Sequence, residues 1–549
     1  MLIEDVQGLY DRPHHICVVG AGPVGLVVAV ELARLGHDVL LLESGTMRPD
    51  AATQQLSSAV LADPQRHADM AVAVQRRFGG TSNLWGAGCV PLDPVDFESR
   101  PVTGDLGWPI SYAEFAAHLP AACRYANCGD TFEQQIAGIG TSDHPDFTAD
   151  TLMRFADPPS FRTAYARQVA ASRKIVTALG TTVTAIRFTE NGLVCGLEVC
   201  GRDGSRGVVR SRIVVLACGG IETTRLLLST QIEAPRRFGG EDGPLGRYYM
   251  GHLSGTIADI RFASTKVDKA FDYFLGTGVT YARRRFVASA ELQRQEQLTN
   301  VALWPTLPPM RDPAHRDPVL SLAYLALSVP PLGRRLVSES LRRINVGDGK
   351  DRLAHLRNVI LGLPSISRTL PRFLRGRFFD RVRLPGLHLR NPALRYTLHY
   401  HGEHLPQRQS RISLSRERDA FGLPKAVLDL RFSEADANPI TRMHEHLASW
   451  LTSTGIGELS WHQPKEQNAT SILAQAGDGF HQIGSARMAE TWRLGVVNRD
   501  CRAFGSDNLF VAGSAVFSTS GQANPTLSAL ALAIRSAHLI AAEVLTHAI

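Results

Sequence analysis

The amino-acid sequence predicts an α/β protein with a second, α+β region. Two observations carry this. Buried strands run into glycine turns and helices at residues 15–43, 212–222 and 508–544, the rhythm of a parallel sheet with crossover helices. Between 255 and 475 that rhythm gives way to alternating apolar runs, among them Leu322–Ser328, Ser413-Leu414 and Val427–Leu430, which predict an antiparallel sheet with covering helices. At 549 residues, 59.8 kDa and 44% hydrophobic residues, the chain has material for several domain-sized cores. With 20% charged residues and a formal net charge of +7, it is neither disordered in character nor basic enough for charge alone to argue for nucleic acid.

The first unit starts at His15. Gly20 permits a tight turn, Gly22 lets the backbone approach a pyrophosphate at a helix N-terminus, and Gly25 allows that helix to pack closely on the sheet. Glu43 closes the second strand, where a carboxylate takes ribose hydroxyls and repels a 2′-phosphate. The unit predicts dinucleotide binding and leaves NAD and FAD both open.

A second glycine-rich loop follows at Arg77–Gly88, with Gly79, Gly80, Thr81, Asn83, Leu84 and Trp85 at its centre; its composition predicts backbone lying against a flat ligand. Prolines punctuate residues 90–109, and Ser111 with Glu114 forms the signature of a capping box that opens a helix. The pairing of this loop with the fingerprint before it and Gly107-Trp108-Pro109 after it resembles the glucose–methanol–choline (GMC) flavoprotein oxidoreductases, most closely the branch of pyranose 2-oxidase and bacterial sugar dehydrogenases. That resemblance implies a Rossmann-like FAD-binding domain of the p-hydroxybenzoate-hydroxylase type, interwoven with a substrate domain on an antiparallel sheet. It also implies FAD contacts at Gly20, Gly22, Gly25, Glu43, Gly79, Gly80, Thr81, Asn83 and Trp85. Members that bind FAD covalently carry histidine where this chain has Leu84, so non-covalent FAD is expected.

In the middle of the chain, residues 182–188 and 194–199 alternate like hairpin strands joined through Asn191-Gly192, and a buried strand at 212–217 ends in glycines. The resemblance returns this region to the flavin domain, with Val183 near the adenine and Ala217 at the cofactor, and makes Gly246–His252 a crossing between domains. The implied division is 10–110, 176–255 and 476–549 for FAD binding, and 256–475 for substrate. Within the latter, residues 334–390 hold fourteen Lys or Arg against four Asp or Glu, interleaved with Leu, Ile and Phe. Such an amphipathic basic arm fits packing on this chain or self-association, and also peripheral contact with an anionic membrane.

The most specific signal is C-terminal. His481-Gln-Ile-Gly, then a strand and Gly513-Ser514, then Asn524-Pro525-Thr526 opening a helix, matches the GMC signature over about seventy residues. Pro525 suits the first helical turn and leaves the amides after it free to face a ligand. By resemblance, His481 is the active-site base and Asn524 its partner, with Gly513, Ser514, Asn524, Pro525 and Thr526 at the cofactor. Oxidising an alcohol sends a hydride to flavin N5 and a proton to a base, and neutral imidazole suits the second task. His401, Glu403 and His404 are candidate substrate contacts; their spacing also admits a metal, which is not expected.

The implied function is FAD-dependent oxidation of an alcohol carbon of a sugar, glycoside or related cyclic polyol to the carbonyl, with O2 or another acceptor completing the cycle. A flavin-containing lyase, an oxidoreductase acting on a non-sugar alcohol, and an NAD-dependent dehydrogenase are the alternatives. Eight scattered cysteines lack metal or disulfide spacing, and Met1–Pro13 lacks a basic start followed by an apolar stretch. No span is expected to reach membrane length, the most apolar one outside the termini, Val319–Val329, being stopped by two prolines. A cytoplasmic protein with reduced thiols and no nucleic-acid partner is therefore expected.

Overall fold

The computed structural model describes residues 2–3, 7–10, 13–136, 144–276, 280–337, 342, 345–347, 351–386 and 389–546. Parts of the basic arm, at 338–341, 343–344, 348–350 and 387–388, lie outside them.

Six parallel strands form the first sheet, in the order Leu2–Ile3, Ile175–Leu179, Val39–Glu43, His14–Val19, Ser211–Leu216 and Leu509–Val511. The central strands read as near-continuous Val, Ile and Leu because helices or loops cover both faces. The helix Pro23–Arg34 starts at Gly22 and buries every residue from Gly25 to Leu32. A Cβ on Gly25 would sit 1.9 Å from the Gly20 carbonyl oxygen, so only glycine lets this helix settle onto the turn. The C-terminal helix Pro525–Thr546 packs against it. Contrary to the expectation that no span reaches membrane length, its stretch Pro525–Val544 is long and apolar enough by length and composition. That window is 72% buried within the protein, as a core helix is.

The second large sheet is antiparallel: Gly457–Trp461, His252–Phe262, Arg395–Glu403, Val301–Thr306, Phe286–Ala288 and Phe147–Thr148. The strand His252–Phe262 runs through the junction expected at 255/256. Side chains alternate between the two faces of this sheet. Tyr400, Leu303 and Phe286 share a core with Ile440, Met443 and Leu447 of the helix Glu434–Thr454. Trp304, Ala302 and Val287 belong instead to the core of the parallel sheet. Register places Ser254 and Ala302 on either side of His401, and Thr256 and Trp304 on either side of His399, all on that second face.

Leu322–Ser328 is a correction: it is not a strand but part of the helix Pro318–Ser328. Asp317 caps this helix by accepting the Val319 and Leu320 N–H at 2.8 and 2.9 Å, and Val319, Leu320, Tyr324 and Leu327 are buried along one helical face. A short apolar run fits either period, and the cap decides it. The run Arg411–Arg418 pairs with Pro424–Asp429, and the latter takes Ala59–Leu61 in parallel, giving a small sheet separate from the large antiparallel one. The hairpin Thr181–Phe188 with Val194–Gly201, the Ser111–Glu114 capping box and eight free thiols are all present.

Candidate active site

A cavity of about 470 Å³ lies where the glycine turns, the second glycine loop and the start of the C-terminal helix meet. The two glycine segments touch backbone to backbone: the Gly79 N–H donates to the Ala21 carbonyl at 2.8 Å, and a Cβ on Gly80 would come within 2.9 Å of the Gly22 Cα. Asn83 braces this contact, its amide donating to the Phe78 and Gly80 carbonyls at 3.1 and 2.8 Å while its oxygen accepts the Ser160 hydroxyl. Gly25, Gly79 and Asn83 thus stand behind the cavity wall.

Gly20, Gly22, Gly80, Thr81 and Trp85 line the cavity itself, with Val183 and Ala217 from the hairpin and the third strand–glycine unit. Gly513, Ser514, Asn524, Pro525 and Thr526 line it from the C-terminal segment, and Leu84 lines it too. Glu43 is buried at the wall; its two oxygens accept the Ala21 and Gly45 N–H at 2.8 and 2.7 Å, and burial pushes its pKa up. Space for a cofactor is built in: a Cβ on Gly22 would meet only the Gly80 Cα, at 4.0 Å, and one on Gly513 would meet nothing within 4 Å. A glycine cradle, an acidic strand end and a helix N-terminus on one elongated set of walls fit FAD.

His481 also lines this cavity and is partly exposed. Its Nδ1 lies 3.0 Å from Asp478 Oδ2 and 3.0 Å from His252 Nδ1. The protonated Nδ1 donates to both, which leaves Nε2 as the nitrogen with a free lone pair. Asp478 Oδ1 accepts the His481 N–H at 3.2 Å and the Phe480 N–H at 2.8 Å, while Oδ2 accepts the His252 N–H at 2.8 Å. These donors and the adjacent His481 hold the Asp478 carboxyl well below the usual carboxylate range despite its burial. Burial and the neighbouring His481 push His252 down to about 3, so its imidazole is neutral.

His401 stands beside this pair, its ring 4.2 Å from His252 and 5.5 Å from His481. Its Nδ1 meets the Ser254 hydroxyl at 2.6 Å, while its buried Nε2 has no partner. His252, His401 and His481 offer ring nitrogens within 4.8 Å of one another. Glu403 and His404 are taken up by other partners. Glu403 is paired twice with Arg100 Nη2, at 2.7 and 2.9 Å, and His404 accepts the Gly251 N–H at Nδ1 while donating from Nε2 to the Arg431 carbonyl.

Sequence reasoning missed Asp478, His252 and Gln482. Asp478 had a signal, the three-residue spacing that brings it back onto His481. Gln482 accepts the Ile221 N–H at 3.1 Å and lines the cavity, and its position beside His481 was the only hint. His252 reaches the site through a strand far away in sequence, and nothing local marked it.

The parallel dinucleotide-type sheet, the antiparallel sheet facing it and the histidine at their junction have the arrangement of a flavin-dependent oxidoreductase. Residues 406–533 match the GMC oxidoreductase family model, and residues 18–49 match an NAD(P)-binding Rossmann-like domain. Over those residues the chain is similar to the GMC oxidoreductases, and the glycine cradle fits FAD. It is 23% identical to a paromamine 6′-oxidase of Streptomyces fradiae over 98% of this chain and 93% of that one. It is also 30% identical to a C-glycoside 3-oxidase of Arthrobacter globiformis, over a quarter of each chain. A fungal aryl-alcohol oxidase superposes with a TM-score of 0.54 at 13% identity, covering 97% of this chain and 99% of that one, which is a likeness of fold.

Proposed function

We propose that the chain oxidises an alcohol carbon of a sugar, glycoside or related cyclic polyol to the carbonyl, with His481 Nε2 as the proton acceptor. The observation that carries this is His481, on the wall of the FAD-type cavity and held from behind by Asp478, with Asn524 on the same cavity at the start of the C-terminal helix. FAD, when bound, supplies the two-electron acceptor. Asp478 fixes the tautomer of His481 and stabilises the imidazolium formed when it takes the hydroxyl proton. Asn524 offers an amide to hold the same hydroxyl. Pro525 opens the helix without an N–H of its own, so the first-turn amides after it present the positive end of the helix to the cavity. The relatives named for oxidising paromamine and C-glycosides support a carbohydrate-like substrate.

The test is anaerobic mixing of the FAD-loaded protein with neutral glycosides, acidic sugars and simple alcohols, followed by air. Bleaching of the flavin by a carbohydrate supports the reading, and the speed of recovery in air separates oxidase from dehydrogenase. Absence of bleaching across the panel overturns it in favour of the lyase or of an alcohol outside the panel. Asp478→Asn is expected to slow flavin reduction on the order of 10²-fold or more through kcat, with KM little changed, because it disturbs the tautomer and not the pocket; stopped-flow spectrophotometry measures this.

We further propose that the basic arm rests on an anionic membrane surface. Its helices Arg352–Leu361 and Leu363–Leu374 and the turn Arg375–Phe379 leave Leu353 at 83% and Phe379 at 81% exposure, with Ile360, Leu361, Leu363 and Phe378 also exposed. Over 351–383 eight arginines face two aspartates. Apolar side chains among arginines match acyl chains beneath anionic headgroups. Sedimentation with vesicles of phosphatidylglycerol is expected to carry the protein down, and phosphatidylcholine vesicles or high salt to leave it in solution. Self-association without vesicle binding would overturn this reading.

A further inference from the structure

The flavin-facing side of the antiparallel sheet carries more than histidines. Arg283 and Arg285 are two residues apart, as are Arg285 and Val287, and Val287 pairs with Ala302 on the face that also bears Trp304, His399 and His401. The Arg283 guanidinium carbon lies 4.5 Å over the Trp304 ring, its Nη2 donates to the Met153 sulfur at 3.3 Å, and it shares a hydrogen bond with the Tyr273 hydroxyl. Its buried Nε has no partner. Arg285, only 3% exposed, donates to the Gln522 side-chain oxygen and also leaves its Nε without a partner. Arg283 is half-buried, and among the described residues neither arginine has a carboxylate within 4.0 Å, Asp93 acting on Arg285 from farther away, whereas the buried Arg100 and Arg225 are paired with Glu403 and Asp419.

A buried guanidinium without a counter-charge is costly, and its desolvation is offset when an anion arrives. The location says what kind of anion. The Met153 sulfur lies 3.3 Å from where a Gly88 Cβ would stand, and the Asn524 amide nitrogen 3.6 Å from the same point. Met153, the partner of Arg283, and Asn524 thus both lie against Gly88, which lines the cavity. His399, beside Arg283, is pushed down to about 3 by burial and by that arginine; His401 is lowered by burial, by its histidine neighbours and by Arg285. This side of the sheet thus carries positive charge and neutral imidazoles just behind the residues that line the cavity.

We infer that Arg283, supported by Arg285, binds an oxyanion, carboxylate or phosphate, carried by the alcohol that the cavity oxidises. The inference rests on the proposed alcohol oxidation and adds its substrate class: an acidic sugar derivative, with cationic amino sugars disfavoured. A planar guanidinium with free donors suits either oxyanion.

The experiment uses the FAD-loaded full chain and four hexose compounds: methyl glucoside, methyl glucuronide, glucose 6-phosphate and glucosamine. Calorimetry measures binding, and anaerobic bleaching measures reaction. At least one acidic compound is expected to bind tenfold or more tightly than methyl glucoside, with glucosamine weakest; which acid wins identifies the oxyanion. Arg283→Gln is expected to remove most of that preference while retaining bound FAD, and Arg283→Lys to keep part of it. A preference for the neutral or cationic sugar, or an equal loss for all four in Arg283→Gln, overturns the anion site. Selective binding of an acidic compound without bleaching by any compound leaves the anion site standing and overturns the oxidation reading; bleaching without an acidic preference does the reverse.

Discussion

His481→Ala is expected to slow alcohol-dependent flavin reduction by roughly 10²–10⁴-fold while the protein still purifies yellow. The rate falls because the imidazole, among the described residues, is the one side chain on the cavity wall that combines a free ring nitrogen with a carboxylate fixing its tautomer. The colour stays because the cradle is backbone: the contact between Gly79 and Ala21 and the space at Gly22 and Gly513 do not involve residue 481. Single-turnover absorbance in a stopped-flow instrument reads the rate, and the visible spectrum reads the cofactor. A near-normal rate would show that the proton leaves by another route. His252 is a poor substitute, since its Nδ1 is taken up by His481 and it sits buried in a neutral state.

Arg100→Met is expected to cost about 3–5 kcal/mol of stability, the largest such effect among the substitutions considered. Arg100 and Glu403 are 4% and 0% exposed, and the pair ties the segment around residue 100 to the antiparallel sheet at residue 403. Glu403 also accepts the Asn300 N–H at 3.0 Å, and the Asn300 amide donates to Asp93 and Asp96 at 2.9 Å each. Asp96 is already pushed well above the usual carboxylate range by burial and by Asp93 and Glu403. Without the guanidinium, this group of buried carboxylates loses its nearest cation. The measurement is the thermal midpoint with FAD bound, expected to fall by several degrees; Arg100→Lys, which keeps charge but loses the two-oxygen geometry, should fall between. An unchanged midpoint would mean that the pair contributes nothing to holding the two sheets together.

The residues legible in the sequence were those whose role is local. Gly20, Gly22, Gly25 and Glu43 sit in one strand–turn–helix–strand unit, and Asn524-Pro525-Thr526 opens one helix, so spacing along the chain already fixes their relative geometry. Glu403 and His404 show where that reasoning stops. They lie within three residues of His401, yet His401 stands among the site histidines while Glu403 turns to Arg100 and His404 to Gly251 and Arg431. Glu403 shares a strand face with His401 but is taken up by Arg100 and Asn300, and His404 lies just past the strand end, so neighbours that a sequence reads as a cluster are parted by their partners. Leu322–Ser328 was ambiguous for a different reason: an apolar run of that length fits both periods, and the Asp317 cap settles it as a helix.

The sequence by itself determined the α/β class and the dinucleotide-type cradle, because each is written in contiguous residues whose backbone geometry is set by their neighbours; the roles expected of His481 and Asn524 rested on the resemblance of their segments to the GMC signature. Only the tertiary structure decided that His252 lies against His481, that Arg100 closes on Glu403, and that Arg283 stands over Trp304 without an acid beside it. Those contacts join segments tens to hundreds of residues apart, and they depend on sheet register and on which face of a strand meets the cavity, quantities fixed by packing and not by local spacing.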